Sequence, residues 1–151
     1  MRKEEIVREN AATRQALGEL VSALSDDSYR CPIGLHWTVS TTLCHLSFWD
    51  QRALFLLKFW ASGAAVEVPK LDAPSIESIN QAVNWIALEV PSFAAGRMAL
   101  QSADAVDAFV AQISDDLAQR IEAAGFERYL RRSLHRQEHL NKIRHALSNK
   151  S

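Results

Sequence analysis

TVSTTLCHLSFWDQRALFLLKFWAS, residues 38–62, is the stretch on which the fold turns. Its apolar residues recur at helical spacing. His45, Trp49, Leu56 and Trp60 share one face, with Leu46, Ala53 and Leu57 beside them. The stretch holds no glycine or proline, and Thr38 supplies an N-cap hydroxyl. The spacing predicts a long helix from Thr38 to about Ser62, with one stripe that must be buried against other elements.

Three further long helices read in the same way. Upstream, Lys3 to Leu24 places Ile6, Asn10, Thr13, Leu17, Leu20 and Leu24 on one face. Residues 25–35, with their Asp, Ser, Pro and Gly, read as a loop. Downstream, a linker holds Gly63, Pro69 and Pro74, and Ser75 is the expected N-cap of a shorter helix ending near Glu89. Pro91 suits the start of the third long helix, Ser92 to Ala123, with Met98, Val106, Phe109, Val110, Ile113, Leu117 and Ile121 as its stripe. Gly125 is a stop signal. The fourth runs from about Leu130 to Leu147, with His139, Ile143 and Ala146 inward. Each helix has one stripe to bury, so the expected fold is all-α: a four-helix bundle with a long crossover between helices 2 and 3 carrying a short extra helix.

Composition agrees. The chain has 151 residues, 48% hydrophobic and 23% charged, which suits one globular domain over residues 1–151 and excludes a disordered chain. A net charge of -1 argues against a nucleic-acid binder. The start MRKEEIVREN lacks the apolar run of a signal peptide, and FWDQRALFLLKFW is too short and too often interrupted by charge to span a bilayer. Cys31 and Cys44 form no disulfide framework. The expectation is a cytoplasmic protein with reduced thiols and neither a nucleic-acid nor a membrane partner.

Five histidines carry the chemistry: His36, His45, His135, His139 and His145. His135 and His139, four apart, stand on one side of a helix, where both can reach one ion or be satisfied separately. His45 lies on the apolar face of the second helix. There it is either a neutral core imidazole bonded to a carbonyl or the third ligand that an HxxxH pair needs.

The segment His36-Trp37-Thr38-Val39-Ser40-Thr41-Thr42-Leu43-Cys44-His45-Leu46-Ser47-Phe48-Trp49-Asp50 resembles the GWTVxexLxHLxxWD signature of the DinB-like family. That superfamily of four-helix bundles also takes in maleylpyruvate isomerase N-terminal-like domains. Arg132-Ser133-Leu134-His135-Arg136-Gln137-Glu138-His139-Leu140 is similar to the HxxxH segment on that family's last helix. The resemblance implies a histidine triad of His45, His135 and His139 holding a divalent metal, zinc or nickel, with a coordination position left open. It implies a homodimer, and a metal-dependent enzyme acting on a small molecule: a hydrolase, or a transferase that uses a low-molecular-weight thiol. The alternative is a non-catalytic metal-binding or interaction bundle. One departure is His36, which stands where the family shows glycine, with Gly34 two residues earlier. It is expected at the surface.

The remaining polar residues read as follows. Asp50 sits about 140° round the helix from His45, so it should orient something else. Glu138 should point away from the ion, and His145 should be exposed. Asn10 is either a helix-packing amide or a donor at the open end of the bundle. Cys44 is expected as a buried structural thiol. Trp49 and Trp60 line a pocket or belong to the core. The basic C-terminal run (Arg128, Arg131, Arg132, Arg136, Lys142, Arg144 and Lys150) serves the helix dipole, solvation or an anionic partner. Phe55, Phe59 and Trp60 give the second helix more apolar surface than one core covers.

Overall fold

Thr38 and Thr41 fix where the central helix begins. Thr38 Oγ1 accepts from the Thr41 N–H at 3.1 Å, and Thr41 Oγ1 accepts from the Thr38 N–H at 2.9 Å. Two otherwise orphaned donors are thereby met reciprocally. The helix runs Val39–Ala61 with Ser62 as its C-cap, as its spacing predicts. In the computed structural model, which describes residues 2–150, this is α3. The others are α1 (Arg2–Ala23), α2 (Asp26–Tyr29), α4 (Ala73–Ala87), α5 (Ser92–Gln112), α6 (Asp115–Ala123) and α7 (Ser133–Ser148), with a 3₁₀ turn at Glu127–Tyr129.

Helices α1, α3, α5 and α7 pack round a common axis, α3 against α5 and α7, and α1 against the same two. Their directions follow from two apolar clusters. One gathers Leu17, Val39, Leu43, Ala95, Ala99, Leu140 and Ile143; the other gathers Ile6, Leu57, Trp60, Val106, Val110 and Leu130. The starts of α3 and α5 thus share one end of the bundle with the ends of α1 and α7. Helices α3 and α5 run parallel, so no tight turn can join them. Residues 62–91 return the chain across the bundle and carry α4 on the way. The all-α bundle and its crossover stand as the periodicity predicts.

Several boundaries differ, each for a local reason. The stretch expected as one helix from Ser92 to Ala123 breaks at Ile113, which is extended. Ser114 Oγ then accepts from the Leu117 N–H at 3.1 Å and starts α6 with Asp115 and Asp116 in its first turn. The apolar spacing continues across this break, so periodicity could not reveal it. Asp72, not Ser75, caps α4: its Oδ1 accepts from the Ser75 N–H at 2.8 Å, with Pro74 in the first turn. Residues 25–35 hold α2 and strand β1 (Pro32–Ile33), which pairs antiparallel with β2 (Trp37–Thr38) through a turn at Gly34, φ 64°. Helix α7 starts at Ser133 rather than Leu130 and has no cap of its own. Gly125 ends α6 at φ 82°, as expected.

Met98, assigned to the stripe, is 36% exposed, and Trp60 is buried at 1%, whereas Phe55 and Phe59 remain 65% and 60% exposed. Among the described residues no helix is long and apolar enough to cross a membrane.

The bundle's two close helix approaches predict opposite responses to one substitution. A Cβ at Gly96 would meet Tyr29 Oη at 2.4 Å and Val21 Cγ1 at 2.8 Å, whereas at Gly18 its nearest neighbour is Leu100 Cδ2 at 3.8 Å. Gly96→Ala should destabilise by about 1–3 kcal/mol through overpacking. Gly18→Ala should stabilise by up to about 1 kcal/mol by raising helix propensity. Urea unfolding of both variants checks this, and a neutral Gly96→Ala would contradict the packing described.

Candidate metal centre

Helices α3 and α7 run antiparallel, and each turns its histidines toward the seam between them. One ring nitrogen from each of His45, His135 and His139 lies within 4.8 Å of the other two. Ring centroids are separated by 4.5–5.1 Å. His45 Nε2 and His135 Nε2 stand 3.1 Å apart. Two nitrogens sharing one tetrahedral ion at about 2.0–2.1 Å lie about 3.3 Å apart, so little movement would accommodate one. His45 Nδ1 and His139 Nδ1 are buried without a hydrogen-bond partner. The donor set therefore fits a divalent ion: three neutral imidazoles, close together, with unused polar capacity.

Electrostatics keep these rings neutral. Burial pushes His45 down to about 3 and His139 down to about 4. His135 is also held well below the usual histidine range, first by burial and then by the charge of Arg132. Neutral imidazole is the form that ligates a metal. Arg132 Nη2 lies 3.3 Å from His135 Nδ1. With a guanidinium donating there, the ring proton sits on Nε2, between His135 and His45. Ligation through His135 Nε2 would transfer that proton to Nδ1 and turn Arg132 aside.

Asp50 does orient something else, as its angle on the helix predicts. It is 1% exposed, and its two oxygens accept from Arg132 Nε at 2.8 Å and Arg136 Nε at 3.1 Å. Arg136 is fully buried. It also donates to Asp107 on α5 at 2.7 and 2.8 Å and to the Asn10 carbonyl on α1 at 3.3 Å. Asn10 is a packing amide: its Nδ2 donates to the Leu130 carbonyl at 2.8 Å, and its Oδ1 accepts from the Ser133 N–H at 2.9 Å. The amide on α1 thus caps α7, which sets the register of both histidines on that helix.

The triad forms part of the wall of a cavity of about 670 Å³, within the range of small-molecule sites. Trp49, Phe126 and Tyr129 supply aromatic surface, and Val68 and Leu71 of the crossover form another part of the wall. Trp49 Nε1 donates to Asn80 Oδ1 at 2.9 Å, which ties α4 to the site. Trp60 lies in the core instead, stacked on Phe126 at 5.7 Å.

His36 and His145 are exposed and stand apart from the triad. Cys44 is a buried thiol, pushed up to about 11 by burial. Glu138 lines the cavity, yet its carboxylate does not join the cluster of histidine nitrogens, and Lys142 Nζ donates to it at 2.7 Å. That bond holds Glu138 below the usual carboxylate range. The basic run divides: Arg132 and Arg136 are internal, Arg128 and Lys142 line the cavity, and Arg144 is solvated. Sequence reasoning missed Arg132, Arg136 and Asp107. The one available signal was an aspartate on the central helix with no charge complement of its own.

Removing one partner from the buried network strands the others. Asp50→Asn should cost about 3 kcal/mol or more, because Arg132 and Arg136 lose a buried counter-charge. Urea unfolding measures it, and a cost below about 1 kcal/mol would show that the network is not the tie described. The histidines make a separate pH prediction for metal-free protein. Each folded-state pKa is depressed, so as pH falls below about 6.5 the unfolded chain takes up protons first. Stability should be full above that pH and fall toward pH 4, by up to about 1.4 kcal/mol per pH unit for each imidazole. Melting curves in chelator should be flatter over this window for a variant with all three histidines changed to Gln; equal slopes would refute the assignment.

No curated protein and no solved structure matches the chain. The sequence model of the DinB superfamily matches residues 9–147, a span that takes in the triad and the Asn10–Asp50–Asp107–Arg136 network. The chain belongs to the DinB superfamily.

Proposed function

We propose that this protein is a metal-dependent enzyme acting on a small molecule, with the ion held by His45, His135 and His139. The observation that carries the reading is the convergence of three neutral ring nitrogens on the wall of a ligand-sized cavity. Three protein ligands leave a coordination position for a further group. Zinc or nickel suits imidazole donors. Such an ion supplies Lewis acidity, lowering the pKa of a water or thiol bound to it.

The chain's own residues supply the rest. Burial in the seam keeps all three rings deprotonated at neutral pH. Asp50, through Arg136, fixes the face of α7 that carries His135. Trp37 meets His45 edge-on at 5.4 Å and holds its ring angle. Between hydrolysis and transfer of a low-molecular-weight thiol, the lining favours transfer. Hydrolysis of a poor leaving group needs a proton carrier. Among the described lining residues the one carboxylate is Glu138, already engaged by Lys142 and acidified. A thiolate nucleophile needs no such base.

Protein purified without a histidine tag should contain one equivalent of divalent metal. His139→Ala should weaken that binding by more than the roughly 10–100-fold typical of a supporting residue. Metal analysis reads both, and a metal-free unmutated protein that also fails to take up zinc or nickel in vitro would sink the proposal. In cobalt-substituted protein, a panel of low-molecular-weight thiols should shift the ligand-field spectrum. Silence there would favour hydrolysis or a non-catalytic bundle.

A further inference from the structure

The cavity that meets the triad is lined by far more positive than negative charge. Arg52, Lys70, Arg128, Arg132 and Lys142 face it, against Glu138 alone. Arg132 and Lys142 have carboxylate partners, in Asp50 and Glu138. Arg52, Lys70 and Arg128 have none among the described residues.

Arg52 is the unusual one. The residue is partly buried, yet its side-chain hydrogen bond is to a neutral group, Nη1 donating to Tyr129 Oη at 3.0 Å. It lies against two rings, 5.5 Å from the Trp49 centroid and 5.7 Å from that of Tyr129. Aromatic faces hold the fork in place while most of its donors stay free. A guanidinium held between two rings with free donors is placed to accept an anion. The same Trp49 meets His45 at 6.4 Å between centroids, so one indole spans the interval from the anchor to the triad. Low-dielectric walls then concentrate the positive field on whatever occupies the space between them.

From this arrangement we infer that the cavity takes a small organic anion, a carboxylate or a phosphate ester on an apolar or aromatic body. Arg52 binds the anionic group, Arg128 assists it, and the body lies against Trp49 and Phe126. This deepens the reading of the cavity as the substrate site, but the anchor belongs to the chain and does not depend on the ion. The reactive end of the molecule is held toward the histidines because its charged end is held away from them. The main anchor therefore stands on α3 itself, seven residues beyond His45.

Calorimetric titration in low-chloride buffer tests this with phenylacetate, phenyl phosphate and the uncharged phenylacetamide, each with chelator and with one equivalent of zinc. In chelator at least one anion should bind tenfold or more tighter than the amide. Arg52→Gln should abolish that preference while leaving phenylacetamide binding unchanged. Arg128→Gln, at an exposed site whose side chain pairs with none of the described residues, should reduce it several-fold and carries the test if Arg52→Gln melts early. The better of the two anions identifies the group. An anion preference that needs zinc, or that survives both substitutions, would overturn the inference while leaving the metal centre standing. An anion preference in a protein that takes up no metal would support the inference and sink the metal reading alone.

Discussion

Arg136 holds the bundle together at one point. Its guanidinium, fully buried, reaches Asp50 on α3, Asp107 on α5 and the Asn10 carbonyl on α1, so a single side chain of α7 contacts all three other helices. An unpaired guanidinium at such a place would cost several kcal/mol, and its hydrogen bonds are directional. Apolar clusters on either side tolerate small rotations and slips. The ionic layer between them does not, because moving α7 by one residue would strand the Arg136 guanidinium and the Asp50 carboxylate and leave Asp107 with Arg14 alone. The clusters supply the bulk of the burial, and the ionic layer selects the register.

Register is what the metal centre needs. His135 and His139 flank Arg136 on the same helix, one before it and one after, and His45 precedes Asp50 by five residues on α3. Once Arg136 is joined to Asp50, the histidines of the two antiparallel helices are brought level. Asn10 reinforces this from α1 by capping α7 at Ser133. The nearby positive charge has a second effect. Arg132, partly neutralised by Asp50, still disfavours a proton on His135. One network thus sets both the position and the protonation of the triad. The same features that hold the helices make the rings ready to ligate.

Much of this was legible in the chain. The stripes on residues 38–62 and 130–147 marked two helices and put His45 and His139 on inward faces, but spacing left each a possible core imidazole; only the resemblance of the two segments to the DinB-like signature joined His45, His135 and His139 as a group. The break at Ile113–Ser114 was hidden because α6 keeps the apolar phase of α5; only the Ser114-Asp115-Asp116 capping sequence marked it. The ionic layer was hidden for a different reason. Arg132 and Arg136 are indistinguishable by spacing from a solvated basic face, since a helix pattern records which residues are polar and not which polar residues meet. Their partners Asp50 and Asp107 lie 82 and 29 residues away, on helices whose pairing the pattern does not specify. Asn10 fell on the inward face and was noticed for that, yet the backbone groups it serves belong to a turn that no periodicity describes.

The cavity's location follows from residue size. The buried face of α5 up to Ala103 is Ala94, Ala95, Gly96, Ala99, Ser102 and Ala103, small enough for α1 and α3 to approach closely; a Cβ at Gly96 would already collide with Tyr29 and Val21. The α3–α7 seam presents the opposite: His45, Trp49, Arg132, His135 and His139, large groups that pack irregularly and hold the axes apart. A bundle with one tight side and one propped side has its opening on the propped side. The crossover that joins the parallel pair α3 and α5 passes that way, and its Val68–Leu71 segment supplies part of the cavity wall. The long connection that the parallel helices require thus also roofs the space in front of the triad. The unpartnered Arg52 therefore has more influence on what enters than the net charge of -1 over the whole chain.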